Sequence, residues 1–141
     1  STASGIKVLK SYSQSLGVPV DKWRFADGSG LSNVNRVTTN GLSELLVNVQ
    51  QQPYFNTYFI SLPVAGNSER MVGGTLRKRL TAENLQNRIY AKTGYIPNVY
   101  TLSGYVKGNS GKQYIFSILL ENKANGITHI DRAMASIVKS L

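Results

Sequence analysis

Two runs rich in Tyr, Val, Ile and Phe, residues 99–106 and 113–120, flank Gly108-Asn109-Ser110-Gly111. No other feature constrains the fold as much. β-branched and aromatic residues favour half-buried, pleated backbone. A short link bounded by glycines, with Asn between them, is hairpin chemistry, so the two runs should pair antiparallel. Ile89-Tyr90-Ala91 opens a further strand upstream, which predicts a three-stranded meander.

The rest of the chain has helical period. Ile6, Leu9, Ser13 and Leu16, with Val8 and Tyr12, give an amphipathic packing helix that Gly17 stops. Residues 18–25 read as a short extended stretch leading into Asp27-Gly28-Ser29-Gly30, a tight turn. Leu42, Leu45, Leu46 and Val49 mark a second helix over about 39–51, with Thr38, Thr39 or Asn40 as its cap. The aromatic run 53–62 reads as a short helix closing on Pro63, and 66–74 as a flexible loop. Ile127, Ile130, Ala133, Met134, Ile137 and Leu141 form the stripe of a last helix. The order predicts an α+β fold, an antiparallel sheet flanked by helices.

Several chemistries are excluded. The chain has no cysteine and one histidine, His129, so thiol catalysis, disulfides, a His-based metal cluster and a Ser-His-Asp triad are all removed. No apolar run reaches membrane-spanning length. Ser1-Thr2-Ala3-Ser4 carries no signal-peptide pattern and reads as a boundary within a longer chain. The net charge is +9, with Arg70, Arg77, Lys78, Arg79, Arg88 and Lys92 close in sequence. Such a stretch is either a solvated basic face or an attractor of anionic partners, peptide carboxylates or an acidic wall polymer among them. Nucleic acid is not indicated, because no aromatic-basic interleaving accompanies the charge.

Lys92-Thr93-Gly94 is the chemical signal. A triplet like this arises by chance in roughly a few of every hundred chains this long, so context decides. It follows a strand opening and precedes a hairpin. There Lys92 would present an ammonium to a cleft beside the sheet, Thr93 would hydrogen-bond a carboxylate, and Gly94 would let a ligand approach the backbone. The bland reading is a basic strand end. Lys-Thr-Gly is also one of three signatures of enzymes that acylate an active-site serine with a D-Ala-D-Ala peptide or a penicillin.

Five blocks in order carry a resemblance: Asp27-Gly28-Ser29-Gly30-Leu31-Ser32, Leu62-Pro63-Val64-Ala65-Gly66, Gly74-Thr75-Leu76-Arg77, Ala91-Lys92-Thr93-Gly94 and Leu102-Ser103-Gly104-Tyr105. Over nearly its whole length the chain resembles the class C low-molecular-mass penicillin-binding proteins. These are the penicillin-binding protein 4-like D-alanyl-D-alanine carboxypeptidases and endopeptidases. The resemblance implies part of the serine β-lactamase/penicillin-binding-protein fold, with residues 1–141 as the C-terminal portion of one acyl-serine transferase domain. It implies peptidoglycan stem peptides as substrates, β-lactams as ligands of the full protein, a periplasmic or extracytoplasmic location, and no cofactor or metal. Lys92 would supply positive charge and relay protons, Thr93 would hold the terminal carboxylate, and the Tyr95 N–H would be one oxyanion donor.

The other two family signatures are not in usable places. No Ser-x-Asn occurs, and Ser-x-x-Lys occurs only at Ser4–Lys7 and Ser136–Lys139. Ser4 sits at a chain end, and Ser136 follows Lys-Thr-Gly, the wrong order. The nucleophile is therefore expected on a segment outside this chain, an N-terminal segment of the same protein being the natural partner. Three departures also stand out. Tyr95 replaces the usual Ser or Thr. Asn33 replaces an arginine expected to contact the stem peptide, with Arg36 three places on. Pro97 replaces a polar residue expected to touch the same group. Either the peptide pocket prefers something other than the usual diaminopimelate end, or the loop simply packs differently. A non-catalytic basic module that kept the scaffold is the alternative function. Asp27 and Ser29 read as turn formers rather than an acid-base pair, His129 as a surface or cap residue, and Trp23 as core or pocket wall.

Overall fold

In the computed structural model, which describes residues 1–141, the expected strands are β1 (Ile89–Ile96), β2 (Val99–Lys107) and β3 (Gln113–Glu121). They form an antiparallel sheet in the order β1-β2-β3. The register runs Ala91↔Gly104↔Phe116, Thr93↔Leu102↔Ile118 and Tyr95↔Tyr100↔Leu120. Pro97 and Asn98 make the β1–β2 link, with Asn98 at φ +64°. Proline followed by a positive-φ residue is type II turn chemistry.

Strand alternation gives this sheet two different faces. Ile89, Ala91, Leu102, Val106 and Phe116 are buried in one core with Ile130, Met134 and Val138 of the last helix, α5 (Gly126–Ser140). Those three α5 positions recur at helical spacing, and fully burying each is worth about 1.5–3 kcal/mol. Ile127 was expected in the same stripe but remains 44% exposed. On the opposite face Tyr105 meets Phe55 and Phe59, and Phe59 stacks on Tyr90 at 4.5 Å. Both phenylalanines belong to α3 (Phe55–Ser61), the short aromatic helix expected before Pro63.

The chain divides into two units, Ser1–Gln52 and Pro53–Leu141, and the sheet lies wholly in the second. In the first, α1 (Thr2–Ser15) is capped by the Ser1 hydroxyl, and α2 (Thr39–Gln50) by Thr38 Oγ1, which accepts from the Gly41 N–H at 3.1 Å. Gly17, at φ +75°, ends the first helix as expected. Of α1 only Ser13 is buried. Val8, Leu9 and Tyr12 stay exposed, so the packing face expected of this helix is largely uncovered. Val18, Val20 and Trp23 form this unit's core, with Leu16, Phe25, Leu42 and Leu45 against it.

Two expectations are corrected. Residues 18–25 are not extended throughout: Val20–Lys22 is a 3-10 turn closed by the Trp23 N–H on the Val20 carbonyl. The turn folds Val18, Val20 and Trp23 into one cluster, which an extended run would scatter over two faces. Residues 66–74 are not a bare loop. They contain the single helical turn α4 (Arg70–Gly73), continued by a 3-10 turn over Gly74–Leu76. The Gly66 N–H donates to the Leu76 and Arg79 carbonyls, closing this segment on itself. No helix is long and apolar enough to cross a membrane.

Candidate active site

β1 is an edge strand, and its free edge is only half covered. Ala91 donates its N–H to the Pro63 carbonyl at 3.0 Å, and the Ile89 carbonyl accepts from Ala65 at 2.9 Å. Odd-numbered residues therefore aim their backbone groups away from β2. Because successive residues alternate, Thr93 and Tyr95 aim theirs the same way. Pro63–Ala65 covers the edge only as far as Ala91, so beyond it the strand offers a short template for an extended peptide.

Lys92, Thr93, Gly94 and Tyr95 all lie on this strand and are brought together by it. The Lys92 side chain is exposed, and its Nζ donates to the Thr93 carbonyl oxygen at 2.7 Å. This holds the ammonium at the open edge. Thr93 Oγ1 donates to Thr75 Oγ1 at 2.9 Å. Gly94 lies opposite Thr101 of β2, and a Cβ there would meet the Thr101 hydroxyl, so glycine leaves room for that side chain at the cross-strand position. Tyr95 is 66% exposed, and its ring tilts against that of Tyr100, its cross-strand partner, at 5.2 Å. Pro97 is exposed in the turn beyond the strand.

A cleft of about 180 Å³ opens on the α5 side of Thr93. Thr75 and Thr93 line it with hydroxyls, and Tyr95, Tyr100 and Ile127 with apolar surface; Arg79 stands at its wall. The Arg79 guanidinium is held by Asp131 of α5 through Nε and Nη2, the shortest contact being 2.6 Å. Thr75 and this ion pair were not singled out from sequence. Thr75 lay within a quoted block, but its partner is 18 residues away, and Arg79 and Asp131 are 52 apart. Neither Ser136 nor Lys139 lines the cleft; both are exposed on α5.

Asn33 and Arg36 belong to the first unit, in the loop after α1. The Asp27 carboxylate accepts from the N–H groups of Gly30 and Ser32 and from Asn35 Nδ2, each at 2.9 Å. The Asn35 side chain, followed by these backbone donors and Ser29, holds Asp27 below the usual carboxylate range. Asp27 and Ser29 are thus the turn formers the sequence indicated, while Asn35, which also accepts from the Ala26 N–H at 2.7 Å, was missed. A short amide side chain several residues past a turn is its only signal. Arg36 pairs by backbone with Arg24 and spends its guanidinium on the Asn33 and Asn35 carbonyls at 2.7 and 2.8 Å. The Asn33 side chain is exposed. Trp23 is core and His129 surface, as expected.

Comparison with known proteins gives a consistent set of likenesses. Residues 1–141 match the profile of the D-Ala-D-Ala carboxypeptidase 3 (S13) family. The D-alanyl-D-alanine carboxypeptidase of Actinomadura sp. (strain R39) is 39% identical over 116 residues, 82% of this chain and 21% of its own length. The crystal structure of penicillin binding protein 4 (dacB) from Haemophilus influenzae superposes with a TM-score of 0.82 at 22% identity, over 95% of this chain and 31% of the other. Bd0816, a predatory endopeptidase from Bdellovibrio bacteriovorus solved with an immunity protein, superposes with a TM-score of 0.70 at 20% identity, over 89% of this chain and 34% of the other. The fold is therefore that of penicillin-binding proteins. This chain spans about a quarter of the length of the curated relatives it matches, from 21% to 28%.

Proposed function

From the membership of this chain in the D-Ala-D-Ala carboxypeptidase 3 (S13) family, we propose that it is the C-terminal part of a serine-type D-alanyl-D-alanine carboxypeptidase or endopeptidase. The full protein acts on peptidoglycan stem peptides outside the cytoplasm, in the periplasm or an equivalent space. One observation carries the reading. Past Ala91 the edge of β1 is open, its odd-numbered backbone groups face outward, and an exposed ammonium and a paired hydroxyl sit on the same four residues.

In this reading an extended peptide pairs with the β1 edge as an added strand. A serine from an N-terminal segment of the same protein gives its proton to a neighbouring lysine and attacks the carbonyl carbon between two D-alanines. The oxyanion is held by the outward N–H of Tyr95 and that of the serine. The C–N bond breaks, the amine leaves with a proton, and water hydrolyses the ester to free the serine. Lys92 supplies positive charge and proton relay at the edge. Thr93 donates to the terminal carboxylate. Asn33, Arg36 and Pro97 are assigned to the stem-peptide side, where Arg36 acts by holding the Asn33 backbone. β-Lactams enter the full protein as mimics of the same peptide. No step calls for a metal or cofactor.

The test is labelling of the full-length protein with a fluorescent penicillin. A covalent adduct on a serine upstream of this chain, slowed by Lys92→Ala, is the expected result. Absence of any adduct, with Lys92→Ala making no difference, would sink the proposal. Residues 1–141 alone should take no label, and a mass increase on Ser4 or Ser136 would refute the placement of the nucleophile. Tyr95, Asn33 and Pro97 depart from the usual family pattern and favour one second reading, a binding module that kept the scaffold without the chemistry. That module would bind stem peptide without forming an adduct.

A further inference from the structure

We infer that Asn125 is a modification site: the Asn125-Gly126 pair loses ammonia through a cyclic imide and becomes aspartate or isoaspartate, and the isoaspartate form loosens the start of α5. The inference does not depend on the acyl-transfer reading.

The fold itself demands this labile pair. Asn125 stands at φ +55° and ψ +37°, just ahead of α5. Among residues with a side chain, asparagine and aspartate tolerate this left-handed region best. Gly126 opens the helix, and its backbone lies so close to the Tyr100 ring that any side chain there would enter it. Backbone geometry thus favours asparagine at one position, and packing imposes glycine at the next. A carboxamide followed by a residue without a Cβ meets the least hindrance to attack by the next backbone nitrogen. Two further features leave the pair open. Asn125 is exposed, and its carboxamide makes no cap bond to α5. The Gly126 N–H is an orphan donor of the helix start with no acceptor in the chain, whereas the N–H groups of Thr128 and His129 bond to the Asn125 carbonyl. The chain's other Asn-Gly pair, Asn40-Gly41, is an internal control. It lies inside α2, Asn40 Nδ2 donates to Glu44 at 2.9 Å, and the Gly41 N–H donates to Thr38 Oγ1 at 3.1 Å. Attack there must first break a hydrogen bond and unwind a helical turn.

Water is the only co-reactant. The Gly126 nitrogen gives its proton to solvent base and attacks Cγ of Asn125. A C–N bond forms there, and the side-chain nitrogen takes a proton and leaves as ammonia. Water then opens the five-membered imide at either carbonyl. Opening at Cγ gives aspartate. Opening at the main-chain carbonyl gives isoaspartate, whose backbone runs through the side-chain carbon and is longer by one atom ahead of Gly126. The two products differ in their effect. Aspartate places a carboxylate at the positive end of the α5 dipole, which is favourable. Isoaspartate lengthens the chain where Gly126 is fitted against Tyr100, so the first turn of α5 or the ring has to shift.

The experiment ages the full-length protein at mildly alkaline pH, with a second sample in denaturant, and follows tryptic peptides by mass spectrometry with separation of isomers. Aspartate and isoaspartate should form at residue 125 of the folded protein about fivefold or more faster than at Asn40, the factor that one ordinary hydrogen bond gives. In denaturant the two positions should convert alike. The Tm of the parent should fall as isoaspartate accumulates, while freshly made Asn125→Asp keeps the Tm of the fresh parent. Asn125→Gly retains the left-handed backbone and should hold its Tm through the same ageing. If the folded protein leaves Asn125 intact while the denatured one converts it, or if Asn40 converts as fast in the folded protein, Asn125 is not the site. If isoaspartate accumulates and the Tm does not move, the loosening of α5 is refuted.

Discussion

Thr93 donates its hydroxyl hydrogen to Thr75 Oγ1 across 2.9 Å, joining the triplet strand to the turn that follows α4. A hydroxyl can donate one hydrogen and accept others. When a carboxylate docks, Thr93 can turn its hydrogen to the ligand and accept from Thr75 instead. Thr75 is therefore a positioning residue in the proposed site. Thr75→Val removes the hydroxyl at constant shape. A net hydrogen bond of about 1 kcal/mol translates to a rise of about fivefold in KM for carboxylate-terminated peptide, with kcat little changed. Thr75→Ser should restore KM. Steady-state kinetics on the full-length protein decides it, and an unchanged KM in the valine variant removes Thr75 from the site.

Lys92 reaches only the carbonyl of its own neighbour, Thr93, at 2.7 Å, and its exposed ammonium is available to a ligand at the edge. Loss of a charge aimed at an active centre commonly costs about 100-fold or more in rate. Lys92→Ala should slow penicillin acylation by that order, measured by stopped labelling over time. Lys92→Arg keeps the charge but changes its geometry, so partial recovery is expected.

Asp27 provides the pH dependence. Its folded pKa lies below the unfolded value because Asn35, Gly30, Ser32 and Ser29 donate to the carboxylate. The group therefore contributes stability above its unfolded pKa of about 3.9 and loses it as pH falls through the lower folded value. The protection of the Gly30 and Ser32 amides, taken relative to their intrinsic exchange at each pH, should hold from neutral pH downward and fall only once the solution is more acidic than pH ~4. Asp27→Asn should show reduced protection already at neutral pH. Protection that stays constant through the acid range would contradict this assignment.

Arg79 and Asp131 tie the turn after α4 to α5, with side-chain exposures of 16% and 25%. The pair is partly screened, so Asp131→Asn should cost about 1 kcal/mol rather than the larger penalty of a fully buried pair. For a chain of 141 residues that is a Tm fall of about 3–4 °C. Thermal unfolding followed by circular dichroism measures it. A variant as stable as the parent would mean that the pair contributes nothing.

Much of this was readable along the chain because it depends on neighbours in sequence. Gly108-Asn109-Ser110-Gly111 between β-branched runs sufficed for the β2–β3 hairpin, and Gly17 and the Thr38-Thr39-Asn40 run, within which only the structure picks out Thr38, for the helix ends, since turns and caps are chosen by a few adjacent residues. The expectation failed where long-range packing overrode local pattern. The run 18–25 looks extended, yet gathering Val18, Val20 and Trp23 into one core bends it through a 3-10 turn. Residues 66–74 look like a loop because glycine and polar side chains dominate, and hydrogen bonds of Gly66 to Leu76 and Arg79, of Val64 to Val72 and of Asn67 to Asn87 order them.

The same division runs through the site. Lys92, Thr93 and Tyr95 were legible in the sequence as candidates, because a triplet on a strand with ordered blocks around it is a one-dimensional pattern. Tertiary structure alone decided which way each faces. Strand pairing set the odd-numbered backbone groups outward, and the register set Gly94 opposite Thr101. It also brought Thr75, Arg79 and Asp131 to Thr93 from positions 18 and 52 residues apart in their pairs. Contacts of that separation are made by the closing of the sheet and α5 on one core, and no local periodicity encodes them.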